Sequence, residues 1–242
     1  MSLYSFARKT AHSNRAIKLM LEIWRKKACK KRLVQFQKMG YSVNNAVYKA
    51  LKDSQFHYIA YAGTLLGIVR EKGFIPYDND LDYGVLMEDN QSWHDFNKLM
   101  QKNGFRLYHY YLENGLVTEL SYLYAGVSVD FFGMRQHGTE FVVSSYYRRP
   151  NKKYEKNEVS TMHIFYPKMN GINKVMIHGS AFTVPDNSED FLACNYGETW
   201  RTPIHNVHVE TPNGTKQFFD DTISYIFSTK HKDGGDALKW LI

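Results

Sequence analysis

The sequence predicts one domain of the α+β (α/β) class, with a mixed β-sheet and flanking helices, preceded by a basic helical extension. Short β-prone runs recur between residues 57 and 184 and alternate with helical stretches. Residues 13–39 contain no Gly or Pro and show helical periodicity. With 242 residues, of which 43% are hydrophobic, the chain can bury one sizeable core.

The N-terminal extension is predicted to be an amphipathic helix over residues 13–39. Gly40 is suited to end this helix, and Ser42 is suited to cap a second helix over residues 43–53. The apolar stripe of the first helix consists of Ile17, Leu21, Trp24 and Ala28.

Charge divides the chain into an arm and a body. Residues 1–40 contain eleven Lys or Arg and one acid, Glu22, which gives +10, whereas the whole chain is +7. We therefore expect a basic helical arm (residues 1–54) and a separate catalytic domain (residues 55–242). A domain that binds nucleic acid would be basic throughout, so no nucleic-acid partner is expected. The arm suits an anionic membrane surface, contacted through residues 1–40; the alternative is a helix packed on the body with a solvated basic face.

The cysteines and the hydropathy predict a cytoplasmic protein. Cys29 and Cys194 lie far apart in unlike surroundings, so neither a disulfide nor a thiolate zinc site is expected. The first residues lack the apolar core of a signal peptide, and no run is long and apolar enough for a transmembrane helix. We expect a cytoplasmic location, with peripheral contact at the inner face of the membrane through the arm.

Periodicity and turn residues predict the elements of the body. Helices are expected over residues 64–70, 88–103 and 189–195, the last capped by Asp186 or Ser188. Strands are expected near residues 57–61, 81–86, 105–111, 117–124, 126–132, 139–143, 174–178 and 181–184. The polar, basic stretch over residues 148–160 is predicted to be an exposed loop.

Three acids alternate along the segment Pro76-Tyr77-Asp78-Asn79-Asp80-Leu81-Asp82. Alternate side chains of a strand share a face, so Asp78, Asp80 and Asp82 can project to one side. Unpaired carboxylates repel each other, and a divalent cation such as Mg²⁺ would bind them together with phosphate oxygens. The alternative is a solvated turn or a calcium-type loop. Tyr83 disfavours the calcium loop, because it stands where an EF-hand requires glycine.

Two further segments complete the candidate site. Gly63 and Thr64 lie between a predicted strand and a helix, where bare backbone and free N–H groups suit phosphate oxygens; the alternative is a plain turn. Asp130 interrupts the apolar run Val127-Ser128-Val129-Asp130-Phe131-Phe132, although aspartate is disfavoured in strands. Asp130 is either an acid at a strand end or the partner of Asp80 and Asp82 in a three-carboxylate metal site.

These motifs resemble the LicD/fukutin family of phosphotransferases, within the nucleotidyltransferase superfamily. The resemblance lies first in the run from Gly63 to Arg70 and in the run from Gly73 to Asp82. It continues through Val129-Asp130-Phe131-Phe132 and through Tyr196-Gly197-Glu198-Thr199-Trp200-Arg201-Thr202-Pro203, so it spans roughly residues 55–205.

The resemblance implies a nucleotidyltransferase-like fold and a Mg²⁺ or Mn²⁺ cofactor. It also implies transfer of a phosphoryl-alcohol group, such as phosphocholine or a polyol phosphate, from a CDP-activated alcohol donor to a glycan or glycolipid acceptor. Lipopolysaccharide or capsule biosynthesis would be the setting. By this match, Asp80, Asp82 and Asp130 are the catalytic residues and metal ligands, and Asp130 is our first candidate for the base.

The remaining site residues are predicted from the same match. The donor and phosphate set is Gly63, Thr64, Arg70 and Asp78, and the substrate pocket is Tyr77, Tyr196, Gly197 and Trp200. Arg70 has the alternative of a surface cation, and Trp200 that of a core aromatic. Tyr77 replaces the Trp usual in the family and Asn79 replaces an acid, so the transferred alcohol is left open.

Two other functions remain compatible with the sequence. A true nucleotidyltransferase, which moves a nucleoside monophosphate from a triphosphate to an acceptor, would use the same carboxylates. A nucleic-acid-binding module would explain the basic arm, but it would leave the clustered aspartates without a purpose.

Overall fold

A long N-terminal helix precedes a sheet that curls onto itself. This architecture comes from a computed structural model, which describes residues 15–87, 89–149, 151–203 and 215–229. The helices are α1 (Arg15–Leu51), α2 (Ala62–Leu66), α3 (Asn90–Lys102) and α4 (Ser188–Tyr196), and a π-helical turn (Gly67–Glu71) follows α2. The strands are β1 (Tyr58–Ala60), β2 (Asp80–Leu86), β3 (Arg106–Glu113), β4 (Leu116–Tyr124), β5 (Val127–His137), β6 (Glu140–Tyr147), β7 (Glu158–Pro167), β8 (Ile172–Ile177), β9 (Ser180–Pro185) and β10 (Lys216–Ser228).

Eight strands form the main sheet in the order β1-β2-β5-β4-β3-β10-β7-β6. The long strand β5 pairs with β4 along its first half and with β6 along its second half. Six strands therefore close into a ring, and every pairing in the ring is antiparallel. β2 joins β5 in parallel, so the sheet is mixed, and β8 pairs with β9 in a separate hairpin. The predicted α+β class is confirmed.

The helix α1 runs unbroken through Gly40, so the prediction of two helices is wrong. A Cβ atom at Gly40 would lie 2.8 Å from the Phe74 ring, so this glycine permits close packing and does not end a helix. On either side of Gly40, α1 forms part of the core: Phe36 precedes the glycine, and Val43, Val47 and Leu51 follow it. The boundary predicted after residue 54 thus follows helix residues that pack with the body.

The first half of α1 has a different character. Residues 22–32 are exposed, and of the predicted apolar stripe only Leu21 is buried, while Trp24 and Ala28 are exposed. Residues 1–14 of the predicted arm lie outside the described residues. Within the described ranges, we find no helix that is both long and apolar enough to cross a membrane.

Buried aromatic side chains connect the helices to the sheet. Phe96 of α3 packs edge-on against Phe131 of β5, with ring centroids 4.9 Å apart. Tyr166 of β7 stacks on Phe191 of α4 at 4.9 Å. The helix α3 begins after Asp89, whose side chain accepts a hydrogen bond from the Ser92 N–H.

Several element boundaries differ from prediction. The segment predicted as one helix over residues 64–70 is the short helix α2 followed by the π-helical turn. The predicted loop over residues 148–160 ends earlier, because β7 begins at Glu158; neither β7 nor β10 was predicted. The residue before α4 is Asn187, and its side chain makes no cap hydrogen bond. The two predicted caps have other partners: Asp186 accepts from the Asn170 N–H, and Ser188 donates to the Pro185 carbonyl.

Phe36→Ala should lower the free energy of unfolding by about 3–5 kcal/mol, because it leaves a cavity between α1 and the sheet. Phe36 is 1% exposed, whereas Val34, two residues earlier, is 57% exposed. Val34→Ala is therefore the matched control, with an expected change within about 0.5 kcal/mol. Urea unfolding measures both variants. A loss for Phe36→Ala no larger than that of the control would show that this part of α1 is not in the core.

Candidate active site

The parallel strands β2 and β5 bring the predicted metal ligands together. Their register pairs Asp82 directly with Asp130 and Asp80 with Ser128. Neighbouring strands lie about 4.8 Å apart, so the side chains of Asp82 and Asp130 start from adjacent backbone positions. All three acids are half-buried. The structure therefore unites Asp80, Asp82 and Asp130, which come from separate parts of the chain.

Asp78 reaches the same place from a loop. The strand β2 begins at Asp80, so the prediction that Asp78 shares its strand face is wrong. A Cβ atom at Gly63 would lie 2.9 Å from Oδ2 of Asp78 and 3.6 Å from Oδ2 of Asp82. The side chains of both acids therefore lie against Gly63, and glycine there leaves them room.

The start of α2 fixes the backbone of Asp82. The Thr64 hydroxyl accepts a hydrogen bond of 2.9 Å from the Asp82 N–H. The Tyr61 N–H donates to the Asp82 carbonyl at 3.0 Å. Thr64 is 1% exposed, so its visible role is to position Asp82. Contact between Thr64 or Gly63 and a phosphate stays a prediction.

Hydroxyl groups surround Asp130, and the sequence analysis did not single them out. Ser128 Oγ donates to the two carboxylate oxygens of Asp130, at 3.3 and 3.4 Å. The Tyr108 hydroxyl lies 3.0 Å from Ser128 Oγ. Ser121 lies opposite Asp130 on β4 and also forms a hydrogen bond with its carboxylate. These contacts hold Asp130 in one orientation.

Glu119 of β4 is a further acid that the sequence analysis missed. It is 5% exposed, and Ser121 Oγ donates to its Oε1 at 3.3 Å, so Ser121 joins Glu119 to Asp130. Burial and the nearby charge of Asp130 raise the pKa of Glu119 well above its ordinary value. The available signal was the alternation of Glu119 and Ser121 with the apolar Leu120 and Tyr122.

Burial and mutual repulsion disfavour ionisation of the aspartates. Burial, followed by the charge of Asp80 and a hydrogen bond to it, raises the pKa of Asp78 to about 7. Burial is also the main cause that raises the pKa of Asp130 to about 7, and hydroxyl hydrogen bonds partly offset it. The pKa of Asp82 lies well above its ordinary value through burial and then the charges of Asp80 and Asp130.

This set of donors suits a hard divalent cation. Carboxylate oxygens are the ligands that Mg²⁺ and Mn²⁺ prefer, and a cation would relieve the repulsion among the acids. In the described part of the chain, no three His, Cys, Asp or Glu side chains already have the arrangement of a metal site. Asp80, Asp82 and Asp130 are the residues whose carboxylates would hold such an ion.

Three predicted pocket residues lie near the acids in different ways. Burial, then the charges of Asp82 and others, raises the pKa of the Tyr196 hydroxyl, so Tyr196 lies close to the site. Gly197 ends α4 with a φ of 78°. Tyr77 is 52% exposed in the loop that precedes Asp78. Their contact with substrate stays a prediction.

Arg70 and Trp200 form a structural contact. Arg70 Nε makes an ion pair of 2.6 Å with Glu71, and its Nη1 donates to the Trp200 carbonyl at 3.1 Å. Trp200 is 5% exposed and packs in the core, with the Arg201 guanidinium over its ring. These contacts join the segment after α4 to the π-helical turn. A role for Arg70 in phosphate binding and for Trp200 in substrate binding stays a prediction.

The fold and site define a class of protein: an α+β domain with a mixed sheet that gathers buried carboxylates at one parallel strand pair. A family model described as LicD/FKTN/FKRP, nucleotidyltransferase domain, matches residues 55–214. The chain belongs to this LicD family, which confirms the resemblance found in its motifs.

Curated relatives share parts of this chain. Ribitol-5-phosphate transferase FKTN of Mus musculus is 27% identical over 174 residues, which cover 70% of this chain and 34% of the relative. An uncharacterised protein of Rickettsia typhi is 28% identical over 119 residues, which cover 49% of this chain and 36% of that protein. The chain thus spans about a third of the length of these two relatives.

The free energy of unfolding of the metal-free protein should decline as pH rises from about 4 to about 7. Asp78 and Asp130 have an ordinary pKa of 3.8, and the folded protein raises it to about 7. Between these values the folded state holds protons that the unfolded chain has released, so rising pH favours unfolding. Below the window both states are protonated, and above it Asp82 and Glu119, whose pKa values are also raised, continue the decline.

Urea unfolding in EDTA at several pH values measures this decline. Asp130→Asn removes one of the groups with a raised pKa and should make the slope shallower. Asp53→Asn, at an exposed acid whose side chain is 83% accessible, is the matched control and should leave the slope unchanged. A wild-type slope in Asp130→Asn would contradict the assigned environment of Asp130.

Proposed function

We propose that this chain is a metal-dependent phosphotransferase that moves a phosphoryl-alcohol group from a CDP-activated donor to a glycan or glycolipid acceptor. The observation that supports this most is the adjacency of Asp82 and Asp130 on parallel strands, with Asp80 and Asp78 beside them. Such a carboxylate cluster is unfavourable without a cation, and phosphoryl transfer requires cations at the phosphates. Family membership and the name of the mouse relative support the same reaction class.

Each residue of the site has a defined task in this proposal. Asp80, Asp82 and Asp130 would hold Mg²⁺ or Mn²⁺, which would neutralise charge on the diphosphate and the departing nucleotide. Thr64 keeps Asp82 in place through its backbone. The absence of a side chain at Gly63 leaves space beside the carboxylates, where a donor phosphate can approach.

Asp130 is our candidate for the base. Ser121 and Ser128 orient its carboxylate, as a proton acceptor requires. It would take the proton of the acceptor hydroxyl while that oxygen attacks the phosphorus next to the alcohol. The new P–O bond forms on the acceptor, the bond to CMP breaks, and CMP leaves. Tyr196 lies near the acids in space, and Tyr77 directly precedes Asp78 in the chain. Both would contact the donor.

The second candidate is a true nucleotidyltransferase, which the description of the matching domain favours. It would use the same acids and the same in-line attack. The difference lies in the donor, a nucleoside triphosphate, and in the leaving group, pyrophosphate.

We also propose that the arm brings the enzyme to the cytoplasmic face of an anionic membrane. Leu19, Met20, Ile23 and Trp24 are exposed large apolar side chains on the first half of α1. Arg25, Lys26 and Lys27 follow directly and are exposed as well. Basic amphipathic helices of this kind lie in the interface of membranes, with about 1 kcal/mol for each cation near the surface.

Removal of residues 1–32 should reduce co-sedimentation with vesicles that contain phosphatidylserine. This truncation removes the buried Leu21 but spares Phe36 and the rest of the apolar cluster that joins α1 to the sheet. Binding of the full chain should also weaken as salt rises, because the attraction is electrostatic. Neutral phosphatidylcholine vesicles are the control. Equal sedimentation of the full and truncated chains with anionic vesicles would exclude the arm as the membrane contact.

A donor panel separates the two enzymatic candidates. We expect the purified protein with Mg²⁺ or Mn²⁺ to release CMP from at least one CDP-alcohol and to release no pyrophosphate from nucleoside triphosphates. Chromatography of the nucleotide products measures both. Pyrophosphate release without CMP from any CDP-alcohol would reject the phosphotransferase and leave the nucleotidyltransferase.

Asp82→Asn is the test of the site within that assay. Loss of the charge should lower turnover by a factor of about 10² or more, because cation binding and charge neutralisation fail. The fold should persist, since the Thr64 contact uses the backbone of Asp82. Asp53→Asn, the same change at an exposed acid that pairs with Lys52, should retain activity. Full activity of both Asp82→Asn and Asp80→Asn would show that the metal ligands are elsewhere.

A further inference from the structure

A cavity whose lining is mostly apolar, with polar side chains among it, lies at the opposite end of the strand ring. It has a volume of about 540 Å³. Its walls include Arg135 and His137 of β5, Glu140 of β6, His163 and Phe165 of β7, and Gln217 of β10. Arg135 lies five positions after Asp130 on β5, or about 16 Å along a strand. The cavity is therefore distinct from the aspartate site.

Two residues of the cavity wall, Arg135 and His163, belong to a buried ionic network behind it, which we call the floor network. The Glu113 side chain, from β3, is 5% exposed, and its Oε1 lies 2.5 Å from Nε2 of His163. The Ser144 hydroxyl donates to Oε2, and Arg135 Nη2 lies 3.4 Å from the same oxygen. Burial would raise the pKa of Glu113, but these partners more than offset it and lower the pKa. Side chains from β3, β5, β6 and β7 are thereby held in place.

This network provides hydrogen-bond partners for the Glu113 carboxylate. It does not account for the polar side chains at the rim of the cavity, which include Glu140 and Gln217. The closest approach of Arg135 to Glu113 is long for a charge-assisted bond, so its guanidinium is shared between the floor and the cavity wall. Gln217 and Glu140 are exposed at the rim. A cavity wall built on four rigid strands presents these groups in a fixed pattern.

The pattern mixes donors with acceptors. Arg135 offers only donors, Glu140 offers acceptors, and Gln217 and His137 offer both. A hydroxyl group both donates and accepts, so a ring of hydroxyls matches this mixture. An anion would need donors alone and would be repelled by Glu140. Phe165 is half-buried beside His137, at 5.9 Å between ring centroids, and adds an apolar face.

We infer that this cavity is a saccharide-binding site, separate from the aspartates, that holds a sugar unit of the acceptor. The class of ligand follows from the lining groups, and only the identification of that sugar with the acceptor rests on the proposed function. A glycan bound there would be held at a distance from the reacting hydroxyl. The site would then select acceptors by their sugar sequence as well as by the hydroxyl that reacts.

The test uses the full chain and disaccharides as probes. Lactose, cellobiose, maltose and N-acetyllactosamine are titrated separately by NMR without donor or metal, and inorganic phosphate is titrated in parallel. We expect at least one disaccharide to bind. Gln217→Ala and His137→Ala should each weaken it about fivefold or more, the effect of about one lost hydrogen bond. Neither residue belongs to the Glu113 network, so both variants should unfold at the wild-type temperature.

Gln101→Ala, the same change at an exposed residue of α3, is the matched control and should bind as the wild type does. Binding by no disaccharide, or equal binding by the control and both cavity variants, overturns the inference. Phosphate that binds tightly and is lost in the cavity variants would instead make this an anion site and also overturn it. CMP release is measured in parallel on the same protein preparations, after addition of CDP-alcohols and Mg²⁺ or Mn²⁺. Its absence rejects the proposed function but leaves a saccharide result standing, and the reverse also holds.

Discussion

Repulsion among carboxylates that the backbone forces together is the constraint on which this site depends. A shift in strand register would move the backbone positions of Asp82 and Asp130 apart. The buried side chains on the other face of the sheet oppose such a shift. Tyr83 and Phe131, which follow Asp82 and Asp130, are fully buried and stack with centroids 5.4 Å apart. A slip by one residue would expose these rings and bury the acids in their place.

The apolar core therefore stabilises an arrangement that the charges alone would disrupt. Rigid neighbours keep the acids from relaxing: the N–H and carbonyl of Asp82 are both bonded to the start of α2, and serine hydroxyls hold Asp130. Buried acids with raised pKa values are characteristic of functional sites, because stability is reduced locally in exchange for chemistry. Glu113, at the other end of the ring, is also buried, but its pairing with His163 and its other partners lowers its pKa.

Local sequence was sufficient for the acids and insufficient for their surroundings. Two separate segments singled out Asp80, Asp82 and Asp130, because acids in β-prone runs have few structural explanations. The fold brings the three together, and their role as metal ligands stays a prediction. Glu119 escaped notice because its importance arises from the pairing of β4 with β5, which no local pattern specifies. The closure of the ring depends on contacts far apart in sequence for the same reason. Gly40 was misread as a helix end, since its true reason, the Phe74 ring, lies outside α1.

The unbroken course of α1 has a mechanical consequence. Gln37 donates to the Pro76 carbonyl at 3.0 Å, and Gly40 packs on Phe74, so the helix is attached to the loop that leads into the acids. The exposed stretch over residues 22–32 extends the same rigid rod by about 16 Å. If a surface binds that rod, the direction of the helix sets the tilt and height at which the aspartate site faces the surface. One helix thereby fixes the orientation of the aspartate site relative to the exposed stretch. A hinge introduced between residues 32 and 37 would let the two move independently.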